Sequence, residues 1–122
     1  GFGVAKNLCD FAVKGKDCTV IPKIKTIISD CQSQSKPLAV LCIAPALAAH
    51  CIPGVKLTIG NDPDTAANLE AMGAKHINAS VEEIVVDEEK LVISTPAYML
   101  AKSISQAAIG IEKCMNKVVA FI

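Results

Sequence analysis

Lys36-Pro37-Leu38-Ala39-Val40-Leu41-Cys42-Ile43-Ala44-Pro45-Ala46-Leu47-Ala48-Ala49 carries the chain from one kind of structure into another. From Pro37 to Cys42 every residue is apolar and nothing alternates, the pattern of a strand covered on both faces. Pro45 and the alanines after it suit a first helical turn, because proline lacks only a donor that such a turn leaves unpaired. Cys42 therefore falls at the carboxyl end of a strand, in a nucleophile elbow. There the positive end of a helix dipole and unpaired backbone N–H groups favour thiolate over thiol, and such surroundings take a cysteine pKa from about 8.5 toward roughly 4–7.

Working outward, 122 residues make one domain at most, with room for one core. An apolar content of 52%, a mean hydropathy of +0.44 and only 3% aromatic residues describe a core of Ala, Val, Ile and Leu, as in parallel α/β layers, and argue against disorder. Twelve lysines balance twelve Asp and Glu and there is no arginine, so neither a basic excess nor a guanidinium fork is present for phosphate backbones. Nucleic acid is thus not an expected partner. No apolar run reaches the roughly 20 residues of a membrane span, and no secretion signal opens the chain, which points to a cytoplasmic protein without a membrane partner. The six cysteines, at 9, 18, 31, 42, 51 and 114, show no C-x-x-C spacing and no paired Cys/His cluster. Reduced thiols and no structural metal are expected.

The apolar positions 20, 24, 27, 28 and 31 form a helical stripe, with Thr19 as its cap and Cys31 in the core. After the elbow, Val55 to Ile59 alternates as a strand, and Asp62-Pro63-Asp64-Thr65 starts a helix that Gly73 stops. A short strand at 76–78 precedes a hairpin of Ile84–Asp87 against Leu91–Ser94, turned through a solvated Glu88-Glu89-Lys90 tip. From Pro96, positions 97, 101, 104, 108, 111, 115 and 118 predict a long helix capped by Thr95, with that stripe on the sheet. The sum is an α/β fold: a three-layer, flavodoxin-like, mostly parallel sheet with a β-hairpin, whose functional groups collect at the strands' carboxyl ends.

Gly1-Phe2-Gly3-Val4-Ala5-Lys6-Asn7-Leu8, Gly15-Lys16-Asp17-Cys18-Thr19-Val20, the Cys42-Ile43-Ala44-Pro45 elbow, Leu57-Thr58-Ile59-Gly60, Met72-Gly73-Ala74-Lys75-His76 and Thr95-Pro96-Ala97-Tyr98-Met99 together carry a family resemblance. In this combination the chain resembles the ElbB-type glyoxalases, the enhancing lycopene biosynthesis proteins, of the PfpI-like branch of the class I glutamine amidotransferase-like superfamily. The resemblance implies that residues 1–122 are the C-terminal portion of a single such domain, without its first strands. In the family that earlier half brings a first helix and a glutamate that hydrogen-bonds the cysteine. It makes Cys42 the catalytic nucleophile, gives the backbone N–H groups of Gly1, Gly3 and Ile43 to an oxyanion hole, and puts Asn7, Gly60, Thr95 and Pro96 on the pocket rim. Amidotransferases of the superfamily pair their cysteine with a histidine, and the Parkinson-disease deglycase relatives keep one near the position of Gly60. Here His50 lies about two helical turns past the elbow, roughly 12 Å away, and His76 precedes a strand, so a Cys–His pair is not expected.

The implied activity is a cofactor-independent glyoxalase acting on small 2-oxoaldehydes such as methylglyoxal and linked by family to isoprenoid biosynthesis. A homodimer is implied for the full-length protein. Two other readings stand beside it: a non-catalytic thiol sensor or assembly protein of the same fold, and a glutamine-hydrolysing amidotransferase. The remaining cysteines are expected to be structural, with Cys18 as the candidate for a second redox thiol.

Overall fold

The computed structural model describes residues 1–122 and shows an α/β architecture. Two short helices open it, α1 (Phe2–Asn7) and α2 (Phe11–Lys14), followed by α3 (Pro22–Ser33), β1 (Leu38–Leu41) and α4 (Pro45–Cys51). β2 (Lys56–Leu57), α5 (Pro63–Ala71), β3 (Lys75–His76), β4 (Val85–Asp87), β5 (Val92–Thr95) and α6 (Ile104–Ala120) complete it. β1 pairs in parallel with β5, Leu41 opposite Thr95, and β4 closes the far side as the antiparallel arm of the predicted hairpin. All four β5 residues are buried, as expected of a strand between two layers. Val40 and Val92 join the core built with the alanines of α4, whereas Thr95 meets α6, where a Cβ on Gly110 would stand 2.6 Å from its Oγ1.

The predicted single sheet is in fact two pieces, β1-β5-β4 and β2-β3. Side chains join them. The Lys56 N–H donates to Asp87 Oδ2 at 2.8 Å, and the Thr58 N–H donates to Ser94 Oγ at 3.0 Å. Thr58 and Ser94 are both fully buried. Ser94→Ala leaves that N–H without an acceptor, so we expect unfolding free energy to fall by about 1–3 kcal/mol in denaturant titration.

Helix starts separate the strong local signals from the weak ones. Asp62 caps α5 by accepting the Thr65 N–H at 2.9 Å, and Gly73 follows the helix at φ +102°, as expected. Thr19 does not cap α3. Its N–H and hydroxyl both donate to the Asp10 carboxylate, at 2.6 and 3.2 Å, and Ile21 occupies the cap position. Of the predicted α3 stripe only Val20 and Ile28 are buried; Cys31 is half-buried, and Ile27 is 50% exposed.

The last helix departs most from expectation. Pro96 does not start it, because Ala97 takes φ +45° and residues Ala97–Met99 form a single 3₁₀ turn. α6 begins instead after Ser103, whose Oγ accepts the Gln106 N–H at 3.2 Å while Gln106 Oε1 accepts the Lys102 N–H at 2.8 Å. The face on the sheet is Ala107, Gly110 and Cys114, not the predicted stripe, and Ile104 is left 77% exposed. Close approach explains the choice: only small residues fit where the helix axis comes within reach of Val81 O and Thr95 Oγ1.

Candidate active site at the end of β1

Cys42 follows the last residue of β1 and precedes the turn into α4. Its φ is +63°, in the left-handed region that a residue with a Cβ enters only at a cost of about 1–2 kcal/mol. The surroundings hold it there. Its N–H donates to Thr95 O at 3.1 Å, extending the β1–β5 ladder by one bond, and the Ala44 N–H closes the turn onto Leu41 O at 3.0 Å. This is the sharp strand-to-helix bend the sequence predicted, with the thiol half-buried and unbridged.

Two groups of the predicted oxyanion hole meet at the bend. The Ile43 N–H has no backbone acceptor. Gly1 packs so closely that a Cβ there would lie 2.7 Å from Cys42 Cβ, 2.8 Å from Leu41 O and 3.0 Å from Ile43 N. Glycine is required by contact, not by a turn, because Gly1 is the cap of α1 and its carbonyl accepts the Ala5 N–H at 3.1 Å. Gly3 lies inside α1, and the nearest group to its Cβ position is the Asn7 amide at 4.0 Å. The structure therefore brings Gly1 and Ile43 to Cys42 and gives Gly3 no such contact.

The predicted rim residues are supports. Thr95 and Pro96 are fully buried; Thr95 Oγ1 donates to Glu83 O at 2.7 Å and its carbonyl holds the elbow N–H. Gly60 is also buried, at φ +111°, with Leu100 side-chain atoms 3.1 Å from where its Cβ would be and Pro96 Cβ at 3.5 Å. Asn7 lines a separate cleft with Cys9, Asp10 and Thr19. None of the chain's three clefts is lined by Cys42. Sequence reasoning missed Leu100 and the strained Ala97, which fix the end of β5 beside the elbow; an apolar residue after a Thr-Pro-Ala-Tyr loop carries no signal of either role.

Neither histidine is available to the thiol. His50 Nδ1 lies 3.9 Å from Cys18 Sγ, and His76 Nε2 accepts the Ile59 N–H at 3.1 Å. Burial pushes Cys18 up to about 11 and Cys114 likewise to about 11, and it raises Cys51, which leaves these thiols protonated at neutral pH. Burial also holds both imidazoles below the usual 6.5. Their neutral forms are favoured in the fold, so this stability is complete above about pH 6.5 and is lost as pH falls through that value toward the lower folded pKa. We expect Tm to decline between pH 7 and 5, and His76→Gln to flatten the decline in thermal scans across that range.

The same architecture recurs, at a TM-score of 0.86 and 27% identity, in the crystal structure of an isoprenoid biosynthesis protein with an amidotransferase-like domain from Ehrlichia chaffeensis, covering 99% of this chain and 55% of that one. The chain is 39% identical to the rat ES1 protein homolog, mitochondrial, and 38% identical to human glutamine amidotransferase-like class 1 domain-containing protein 3, mitochondrial; each alignment spans 97% of the chain. Its fold is that of this amidotransferase-like neighbour, and the human relative is named for a class 1 glutamine amidotransferase-like domain. No protein-family model matches the chain. The chain spans about half the length of the curated relatives, 48% of the rat and 47% of the human protein. No helix is long and apolar enough to cross a membrane. The names of the rat and human relatives place those proteins in mitochondria, whereas the sequence alone pointed to the cytoplasm.

Proposed function

We propose that the protein acts as a cofactor-independent glyoxalase in which Cys42 is the nucleophile. The observation that supports this reading best is the strained elbow itself: an unbridged thiol at φ +63° beside an Ile43 N–H without an acceptor. Cys42 Sγ, as thiolate, adds to the aldehyde carbon of a 2-oxoaldehyde, and the carbonyl π electrons become an oxyanion facing the Ile43 N–H. A base removes the hydrogen from that carbon and returns a proton to the neighbouring one through an enediol, which leaves a 2-hydroxy thioester on sulfur. Water then cleaves the thioester, so methylglyoxal plus water gives lactate and the free thiol. We assign the base to the further part of the fold that the longer relatives possess. Lactate formation from methylglyoxal, measured without added thiol cofactor on the chain extended to its relatives' full length, tests the reading, and turnover at background would end it.

A second reading has its own support. Both histidines are engaged elsewhere, at Cys18 and at the Ile59 N–H, which removes the usual partner of a superfamily cysteine and weakens a glutaminase in particular. A thiol sensor needs no such partner. In that case Cys42 is oxidised by peroxide to the sulfenic acid while aldehyde turnover stays at background.

A further inference from the structure

α6 carries two apolar faces. Ala107, Gly110 and Cys114 pack on the sheet, while Ile104, Ala108, Ile111, Met115 and Val118, spaced by four and three, form a second stripe about a quarter-turn further round the helix. That stripe is largely bare: Ile104 is 77% exposed, Met115 40% and the adjoining Val119 69%. The opposite flank of the helix is polar and tied down. Lys113 Nζ donates to Glu82 O at 2.9 Å and Lys117 Nζ lies 3.8 Å from Glu88, just before and just after β4. Because β4 bounds the sheet on that side and β1 on the other, the bare stripe overhangs β1, against which α6 also lies.

β1 is an open edge at the same corner, with β5 on one side only. The N–H groups of Leu38 and Cys42 donate to Leu91 O and Thr95 O at 2.9 and 3.1 Å, so alternation turns the N–H and C=O of Ala39 outward. Leu38–Leu41 contains neither charge nor proline, the usual guards of an edge that faces water, and three of its four residues are only half-buried. Gly1 packs against Leu41 O at the carboxyl end of this edge, so a strand joined to Gly1 and laid along it runs parallel to β1. Two strand spacings are about 9.6 Å, within the roughly 8–10 Å at which helices pack, so a helix over the continued sheet meets α6 at contact distance.

We infer that this corner seats the further half of the fold that the rat and human relatives possess: a parallel strand on β1, and a helix whose apolar face meets Ile104, Ile111 and Met115. The chain spans 48% and 47% of those proteins, so a segment of comparable length is there to cover it. A second copy of this chain fits less well, because a two-fold axis would pair β1 antiparallel with itself over only four residues. The inference is independent of the chemistry at Cys42.

The test uses the chain extended to its relatives' full length. Ile104→Glu with Met115→Lys, each charge placed to suit the helix dipole, is expected to lower Tm by roughly 5 °C or more, whereas Val13→Lys, at an apolar residue 84% exposed on α2, leaves it within about 2 °C. Hydrogen exchange read by NMR needs no variant, and there the Ala39 amide is slowed about 100-fold or more against the unfolded chain. An unchanged Tm in the double variant, an Ala39 amide that exchanges as freely as in the unfolded chain, or light scattering that shows a dimer split into monomers by the double variant each overturns the assignment.

Discussion

Replacing Cys42 by Ala, in the chain extended to its relatives' full length, is expected to lower lactate formation from methylglyoxal by roughly 10³-fold or more, since removing the nucleophile of a covalent mechanism removes the step itself. Cys42→Ser should fare no better, because its hydroxyl has no histidine nearby to act as base. Stability separates loss of chemistry from loss of fold. Alanine keeps a Cβ at φ +63° and so keeps the strain, whereas Cys42→Gly releases it and should raise unfolding free energy by up to about 1 kcal/mol while remaining inactive. Denaturant curves and lactate assays on the three variants check this together. Residual turnover within tenfold of wild type in the alanine variant would remove Cys42 from the mechanism.

The largest effect on stability is expected at Gly110. A methyl group there would stand 2.5 Å from Val81 O and 2.6 Å from Thr95 Oγ1, one of them backbone and the other fixed by its bond to Glu83 O. Neither can withdraw without moving β5 or the loop before β4. Alanine improves helix propensity by about 1 kcal/mol, but overpacking of this kind costs about 1–3 kcal/mol or more, so we expect Gly110→Ala to destabilise by about 2 kcal/mol net. In thermal scans that is a fall in Tm of roughly 5–10 °C, and Gly110→Val should fall further. Because Thr95 O holds the Cys42 N–H, a shift of β5 also disturbs the elbow, and activity should drop along with stability.

Strong local grammar made part of this molecule legible. The unbroken apolar run into Cys42, the Asp62-Pro63 start and the Gly73 stop each tie a residue type to one backbone requirement, and all three stand in the structure. α6 was misread because its apolar residues recur over more than one face, so periodicity picked the stripe of Ile104 and Met115 where packing picks Ala107, Gly110 and Cys114. Ser103 and Gln106, spaced as a capping pair, were the overlooked sign of where it begins. In the candidate site, what the sequence made legible is the backbone geometry: the bend at Cys42 and the closeness of Ile43 and Gly1 to it. The rest was not legible, because tertiary contact decides it: Gly3 is carried into a helix, Thr95 and Pro96 are buried beneath the elbow, and Asn7 faces another cleft. The clips that join the two sheets, Asp87 and Ser94, could not be read at all, since nothing local says that a side chain will take the place of a ladder bond.

One measurement tests the central claim that Cys42 is the reactive thiol of this fold: site-resolved rates of iodoacetamide alkylation at pH 7, read by mass spectrometry on the native protein. Cys9, Cys18 and Cys114 are buried, and burial raises Cys51, so we predict that Cys42 is modified at least tenfold faster than any of these four. Alkylation of Cys42 no faster than of Cys51 would contradict the account.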